Sequence, residues 1–195
     1  MKISKLRICW CAVSFRSKIW VQRDQGMLPQ LQKLTREELI GLLEDAAKNW
    51  LAHDGLWFQA VEKKFGIDAA IEADRTAWSQ FTIAEAQRII ERHHIPQNGG
   101  ISALIKALQF RLYAYINVQE VVEISETRCV FRMKNCRVQA ARARKNLPDF
   151  PCKSVGIVEY SNFAKTIDAR IQTRCIACPP DSHPTDYWCA WEFSI

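Results

Sequence analysis

Five of the eight cysteines lie between Cys136 and Cys189, and two of them open the run Cys175-Ile-Ala-Cys178-Pro-Pro-Asp-Ser-His183. Two thiols separated by two residues can grip one ion from a single tight turn. The prolines at 179 and 180 stiffen that turn, and Cys136 and Cys152 can close a tetrahedral sulfur site from elsewhere in the fold. Zinc is the default ion, because four thiolates suit it without assembly machinery. An iron-sulfur cluster is its rival. Cys152 has a second possible role. It follows Pro151 in the first turn of a predicted helix, where free amides and the macrodipole favour thiolate, so it is either a ligand or a nucleophile. As a nucleophile it would make the chain a hydrolase attacking a C=N or acyl carbon, with His183 or a pocket carboxylate moving the proton.

The remaining cysteines read differently. Cys129 shares a strand face with Phe131 and Met133 and is assigned to the core, and Cys189 alternates with Tyr187, Trp191 and Phe193 on an aromatic face. A thioredoxin-type pair at Cys175 and Cys178 is disfavoured, because the motif follows a strand without opening a helix. Two aspartates interrupt apolar helical stripes. Asp54 is four residues from Trp50 and three from Trp57, and Asp74 is three from Ile71 and four from Trp78. A carboxyl held beside tryptophan can have a raised pKa or bind a ligand, so Asp54, Trp57 and Asp74 are assigned to a small-molecule pocket.

A chain of 195 residues is long enough to bury its own core. Its net charge of +6 is unevenly spread. Lys2, Lys5, Arg7, Arg16, Lys18 and Arg23 against Asp24 leave a nearly neutral body beyond residue 26, which argues against nucleic-acid binding. The apolar run Ile8 to Phe15 is short for a signal peptide. Arg16 and Lys18 follow it in place of a small-residue cleavage site, and it is far too short to span a bilayer. Residues 1–26 therefore read as a basic, disordered or spurious extension, with Met27 opening the regular sequence. The reading is of a cytoplasmic protein without a membrane span, its cysteines reduced.

Thr35-Arg-Glu-Glu38 is a capping box that should open a helix carrying Leu39, Leu43, Ala46, Trp50, Trp57, Val61 and Phe65 on one stripe, with a kink at Gly55 and an end at Gly66. Asp68 should cap a second helix, reaching His93, and a third should run from Ile101 to Tyr115. The period then becomes alternating, giving a hairpin up to Met133. A short basic helix follows from Arg137, then a helix from Asp149-Phe-Pro-Cys152 to Asp168, and strands near 170–176 and 187–193. The expected fold is α+β, one domain over 27–195. Its helical half spans 27–115 and its cysteine-rich half 116–195, with an antiparallel sheet of about four strands covered by helices.

The run Asp149-Phe-Pro-Cys-Lys-Ser-Val-Gly-Ile-Val-Glu-Tyr-Ser-Asn-Phe, with Cys-Ile-Ala-Cys-Pro-Pro-Asp, Cys-Ala-Trp-Glu-Phe and His53-Asp-Gly-Leu-Trp-Phe, resembles an uncharacterised family of cytosolic proteins from anaerobic bacteria and archaea. The resemblance extends from about Leu34 to Phe193. In layout the chain is also similar to L-2-amino-thiazoline-4-carboxylate hydrolase-like proteins and to 4-vinyl-reductase-type domains. That resemblance implies a ligand pocket between helices and sheet, with a cysteine-bound metal at one end.

Overall fold

The computed structural model describes residues 28–195; the reading of residues 1–26 as an extension lies outside them. The chain divides into two compact units after Leu39. In the first, a short helix α1 (Leu28–Leu31) precedes the capping box. The Glu38 amide donates to Thr35 Oγ1 at 3.2 Å and the Thr35 amide to the Glu38 carboxylate at 2.7 Å. Two amides that no helical carbonyl could reach are thereby satisfied, and α2 (Arg36–Phe65) starts where the sequence placed it.

α2 runs for 30 residues and is continuous through Gly55. It stops at Gly66, whose φ of 88° favours glycine. In the unit Ile40–Ile195 there follow α3 (Ile67–His93), α4 (Gly100–Leu108) and a 3-10 turn over Leu112–Tyr115. The hairpin of β1 (Val118–Val122) and β2 (Arg128–Asn135) comes next, then α5 (Arg137–Arg144), α6 (Lys153–Ile167), β3 (Gln172–Ala177) and β4 (Cys189–Ser194). The four strands form one sheet in the order β1-β2-β4-β3, antiparallel throughout, so the fold is α+β as expected. Among the described residues no helix is long and apolar enough to cross a membrane.

The core forms between the sheet and α6, which also packs along α3. α6 buries Val155, Gly156, Glu159, Tyr160, Phe163, Ala164 and Ile167, a spacing of three and four that keeps one face inward. Opposite them stand Phe131, Met133, Trp191 and Phe193, with Cys129 at 0 % exposure among them as its strand face predicted. Gly156 is where the two layers come closest. A Cβ there would sit 2.6 Å from Trp191 Cζ2.

Three local expectations fail for identifiable reasons. Leu43, Trp57 and Phe65 of the α2 stripe are 54 %, 64 % and 64 % exposed; Trp50 of the stripe and Phe58 from outside it join an aromatic cluster with Trp78, Phe81, Tyr113 and Phe150. Helical period shows which residues share a face but not how much of that face is covered. Asp68 lies inside the first turn of α3, and Gly66 occupies the cap. The third helix ends at Leu108, and three residues on Arg111 adopts an extended backbone (φ −70°, ψ 148°) with its side chain buried.

Asp168 ends α6 and ties it to α4. Its carboxylate accepts from the Gly100 amide at 3.0 Å and from the Arg170 guanidinium at 2.6 and 2.9 Å. The hydrogen bonds from Arg170 hold this carboxyl well below its ordinary value of 3.8, against the opposing effect of burial.

Two outcomes follow from this packing. Gly156→Ala should lower stability by about 1–3 kcal/mol in urea denaturation, because Trp191 is 1 % exposed and has no room to give way. Asp168→Ala should cost about 1–3 kcal/mol at pH 7 by leaving the Gly100 amide without its acceptor. Because the folded state depresses this group, its contribution is full above 3.8 and is lost as pH falls toward the lowered value. The gap between wild type and variant should narrow in denaturation curves taken at successively lower pH below that point.

Candidate functional site

A cavity of about 440 Å³ opens within the unit Ile40–Ile195, walled by α2, α3, α5, α6 and residues of β2 and β4. Its apolar lining includes Phe58, Trp78, Met133, Phe150, Val155 and Trp191. Two sets of reactive side chains face it. One is acidic: Asp54 from α2, Asp74 from α3 and Glu159 from α6, with the Tyr113 hydroxyl near them. The other is a set of thiols, Cys136, Cys152, Cys178 and Cys189.

The helices deliver the acids by simple spacing. Asp54 and Phe58 stand one turn apart on α2, and Asp74 and Trp78 one turn apart on α3, so each carboxyl lies beside an aromatic wall. Burial pushes the Asp74 carboxyl up to about 7, and the neighbouring Asp54 and Glu159 add to the rise. Burial raises Asp54 as well, with His53 opposing it. Glu159 is raised by burial and pulled back by Arg111, which meets it at 2.7 Å in an ion pair of poor hydrogen-bond directionality. Arg111 Nε also donates to Glu85 at 2.9 Å. Its one charge is thus shared between two carboxylates, and among the described residues neither Asp54 nor Asp74 has a cationic partner within salt-bridge distance.

The thiols come from four separate places. Cys136 precedes α5, Cys152 caps α6, Cys178 follows β3 and Cys189 opens β4. Gln139 braces this wall: its side-chain amide accepts from the Phe150 amide and donates to the Phe150 carbonyl, both at 2.9 Å, and approaches Cys152 Sγ at 3.8 Å. Cys152 Sγ and Cys178 Sγ meet at 3.5 Å. Burial pushes the Cys136 thiol up to about 12. Cys178 is raised, first by its contacts with Cys152 and Cys189, and Cys189 is lowered, first by Cys178; Cys189 is therefore the thiol of that pair that ionises first. Among the described residues no group of three or more His, Cys, Asp or Glu side chains converges closely enough to hold a metal ion as the side chains stand.

The structure brings most of the sequence-derived candidates together and separates three of them. Asp54, Asp74, Cys136, Cys152 and Cys178 all line the cavity. Trp57 does not: it projects into solvent, and its neighbour Phe58 takes the wall position. Cys175 pairs across the sheet with Trp191 and stays outside the lining, so the C-x-x-C motif is divided between two environments. His183 lies in the loop before β4, its Nδ1 2.8 Å from the Pro184 carbonyl and its ring 5.1 Å from Trp188, and does not line the cavity beside Cys152.

Cys189 was assigned to an aromatic core face; it is buried, and it also faces the cavity. Glu85 and Glu159 carried a legible signal. Each sits in an apolar stripe, Glu85 between Thr82 and Ile89 and Glu159 between Val155 and Phe163, the same pattern that singled out Asp54 and Asp74. Tyr113 and Arg111 had no such signal, because both were placed on a helix that the structure interrupts.

No curated protein matches the chain. A family model does, over residues 32–195, an extent close to that of the resemblance read from the sequence. The thiol wall, the acid group and the helices that carry them all fall within the matched residues, and the chain belongs to the family of unknown function DUF6125.

Proposed function

We propose that this protein binds a small, largely aromatic ligand in the cavity between its helices and its sheet. The observation that carries the reading is the cavity itself. A volume of about 440 Å³ is in the range of small-molecule sites, and its walls combine aromatic side chains with a few convergent polar groups. The acid group favours a ligand that offers a hydrogen-bond donor or a basic nitrogen, since burial raises both Asp54 and Asp74 and Asp74, pushed up to about 7, can either accept or donate near neutrality.

A thiolate-bound metal is the second reading, favoured by the Cys152–Cys178 contact. Their 3.5 Å separation is close to the roughly 3.8 Å that two sulfur ligands subtend on a tetrahedral zinc with bonds of about 2.3 Å. Cys136 and Cys189 line the same cavity but do not converge on this pair as the side chains stand, so a four-thiolate set, with Cys189 in the place first given to Cys175, would require them to move. Zinc held by this set would have a closed coordination shell and would brace the cavity wall. An iron-sulfur cluster makes the same demand for four thiolates. Either group requires reduced cysteines, in keeping with a cytoplasmic setting.

Gly55 gives a clean test of the ligand reading. It lines the cavity, and an added Cβ would meet only Gln59 Nε2, at 3.9 Å. Gly55→Ala should raise stability by about 0.5–1 kcal/mol by removing glycine from a helix interior. Gly55→Phe should keep the fold yet weaken binding of a neutral aromatic probe, N-phenyl-1-naphthylamine, by about tenfold or more in a fluorescence titration. Equal binding by wild type and Gly55→Phe, or none by wild type, would refute the reading. The metal reading predicts near-stoichiometric zinc or iron in protein purified without oxygen. That metal should be lost in a Cys152→Ser, Cys178→Ser double variant and retained in Cys175→Ser; metal-free wild type that stays folded would exclude it.

A further inference from the structure

The contact between Cys152 and Cys178 has chemical consequences that need neither a metal nor the aromatic ligand. Both are free thiols, and their sulfurs stand 3.5 Å apart, so a closure of about 1.5 Å would reach the ~2.05 Å of a disulfide bond. The backbone holds the two together. The Lys153 amide donates to the Pro179 carbonyl at 2.9 Å, which ties the residue after one cysteine to the residue after the other. Both thiols line the cavity, and of the two Cys152 is the partly exposed one that a small solute would meet, whereas Cys129 is enclosed in the core and Cys175 is outside the cavity lining.

Their settings differ in a way that suits two successive roles. Cys152 is partly exposed and stands at the N-cap of the 15-residue helix α6. Cys178 is buried at 1 % exposure directly behind it. The first is placed to be the attacking thiol and the second to be the resolving one.

The geometry points to a thiol–disulfide exchange site in which Cys152 and Cys178, and not the Cys175/Cys178 motif, form a reversible disulfide, with a low-molecular-weight disulfide as co-substrate. The Cys152 thiolate attacks one sulfur of R–S–S–R, which forms the mixed disulfide Cys152–S–S–R and expels RS⁻. The Cys178 proton passes to that thiolate, giving RSH. The Cys178 thiolate then attacks Cys152 Sγ, closing the protein disulfide and expelling a second RS⁻, which takes up the proton that Cys152 released. Two protein thiols are oxidised and one small disulfide is reduced to two thiols. Reversal of the same steps reduces the protein.

The test uses the full-length chain treated with a chelator, so that no bound metal masks the thiols, and equilibrated in glutathione buffers of increasing oxidised fraction. Free thiols are then alkylated and the linked peptides identified by mass spectrometry. The expected result is a Cys152–Cys178 linked pair as the first protein disulfide to accumulate, reversed on return to reduced glutathione. Cys178→Ser should trap glutathione on Cys152, and Cys175→Ser should leave the wild-type pattern unchanged. The proposal is overturned if both thiols remain fully alkylated in the most oxidising buffer, or if the first disulfide joins Cys175 to Cys178. Because the wild-type peptide map decides between these results, the proposal stays testable even where a variant fails to fold. The outcome is also separate from aromatic-probe binding, which is blocked at Gly55 and not at sulfur.

Discussion

A buried cation, Arg111, organises the helical side of this protein. Arg111 has a side chain 3 % exposed and lies between Glu85 of α3 and Glu159 of α6, at 2.9 and 2.7 Å, with its guanidinium 4.7 Å from the centre of the Phe163 ring. Burial alone would make it easier to deprotonate. The two carboxylates more than offset that effect and hold it charged. An arrangement of this kind is costly to break from one side only, by about 3–5 kcal/mol, because the surviving charge remains buried without a partner. It also accounts for the interruption of the third helix: the backbone opens at Arg111 so that its side chain can reach both acids, and the chain turns again through Leu112–Tyr115.

The same group sets the electrostatics of the cavity. One positive charge facing two carboxylates leaves an excess of negative charge, and Glu159 lies at the boundary between the triad and the cavity. Asp74 therefore feels burial and like charge together, Asp54 feels burial opposed by His53, and both are raised. These raised carboxyls stand beside the aromatic part of the cavity wall, formed by Phe58, Trp78 and Tyr113.

The sequence made the cap of α2 legible because Thr35 and Glu38 complete their hydrogen bonds within one turn, and it made the hairpin legible because alternation survives burial on one face. It was less informative wherever a distant partner decides. Arg111 and Glu159 are 48 positions apart in the chain and yet set each other's conformation, and no window of sequence contains both. The C-x-x-C motif shows the same limit. Spacing suggested that Cys175 and Cys178 act as a pair, but Cys175 is held by its place opposite Trp191 in the sheet, while the chain beyond the irregularity at Ala177 turns Cys178 to the cavity. The partner that Cys178 does meet, Cys152, is brought in by a different helix.

That helix is the step that joins the two halves of the site. Cys152, Val155, Gly156, Glu159, Tyr160 and Phe163 recur at intervals of three and one, so one face of α6 carries a thiol at its cap, a carboxyl two turns on, and between them a glycine pressed against Trp191. The lack of a side chain at 156 lets the indole approach the helix, and the indole in turn forms part of the wall between the thiols and the core. Position along α6 thus fixes the separation of acid and thiol chemistry by helix rise alone, at about 1.5 Å per residue over seven residues. On the proposed ligand reading, a molecule of roughly 10 Å would be needed to span both groups.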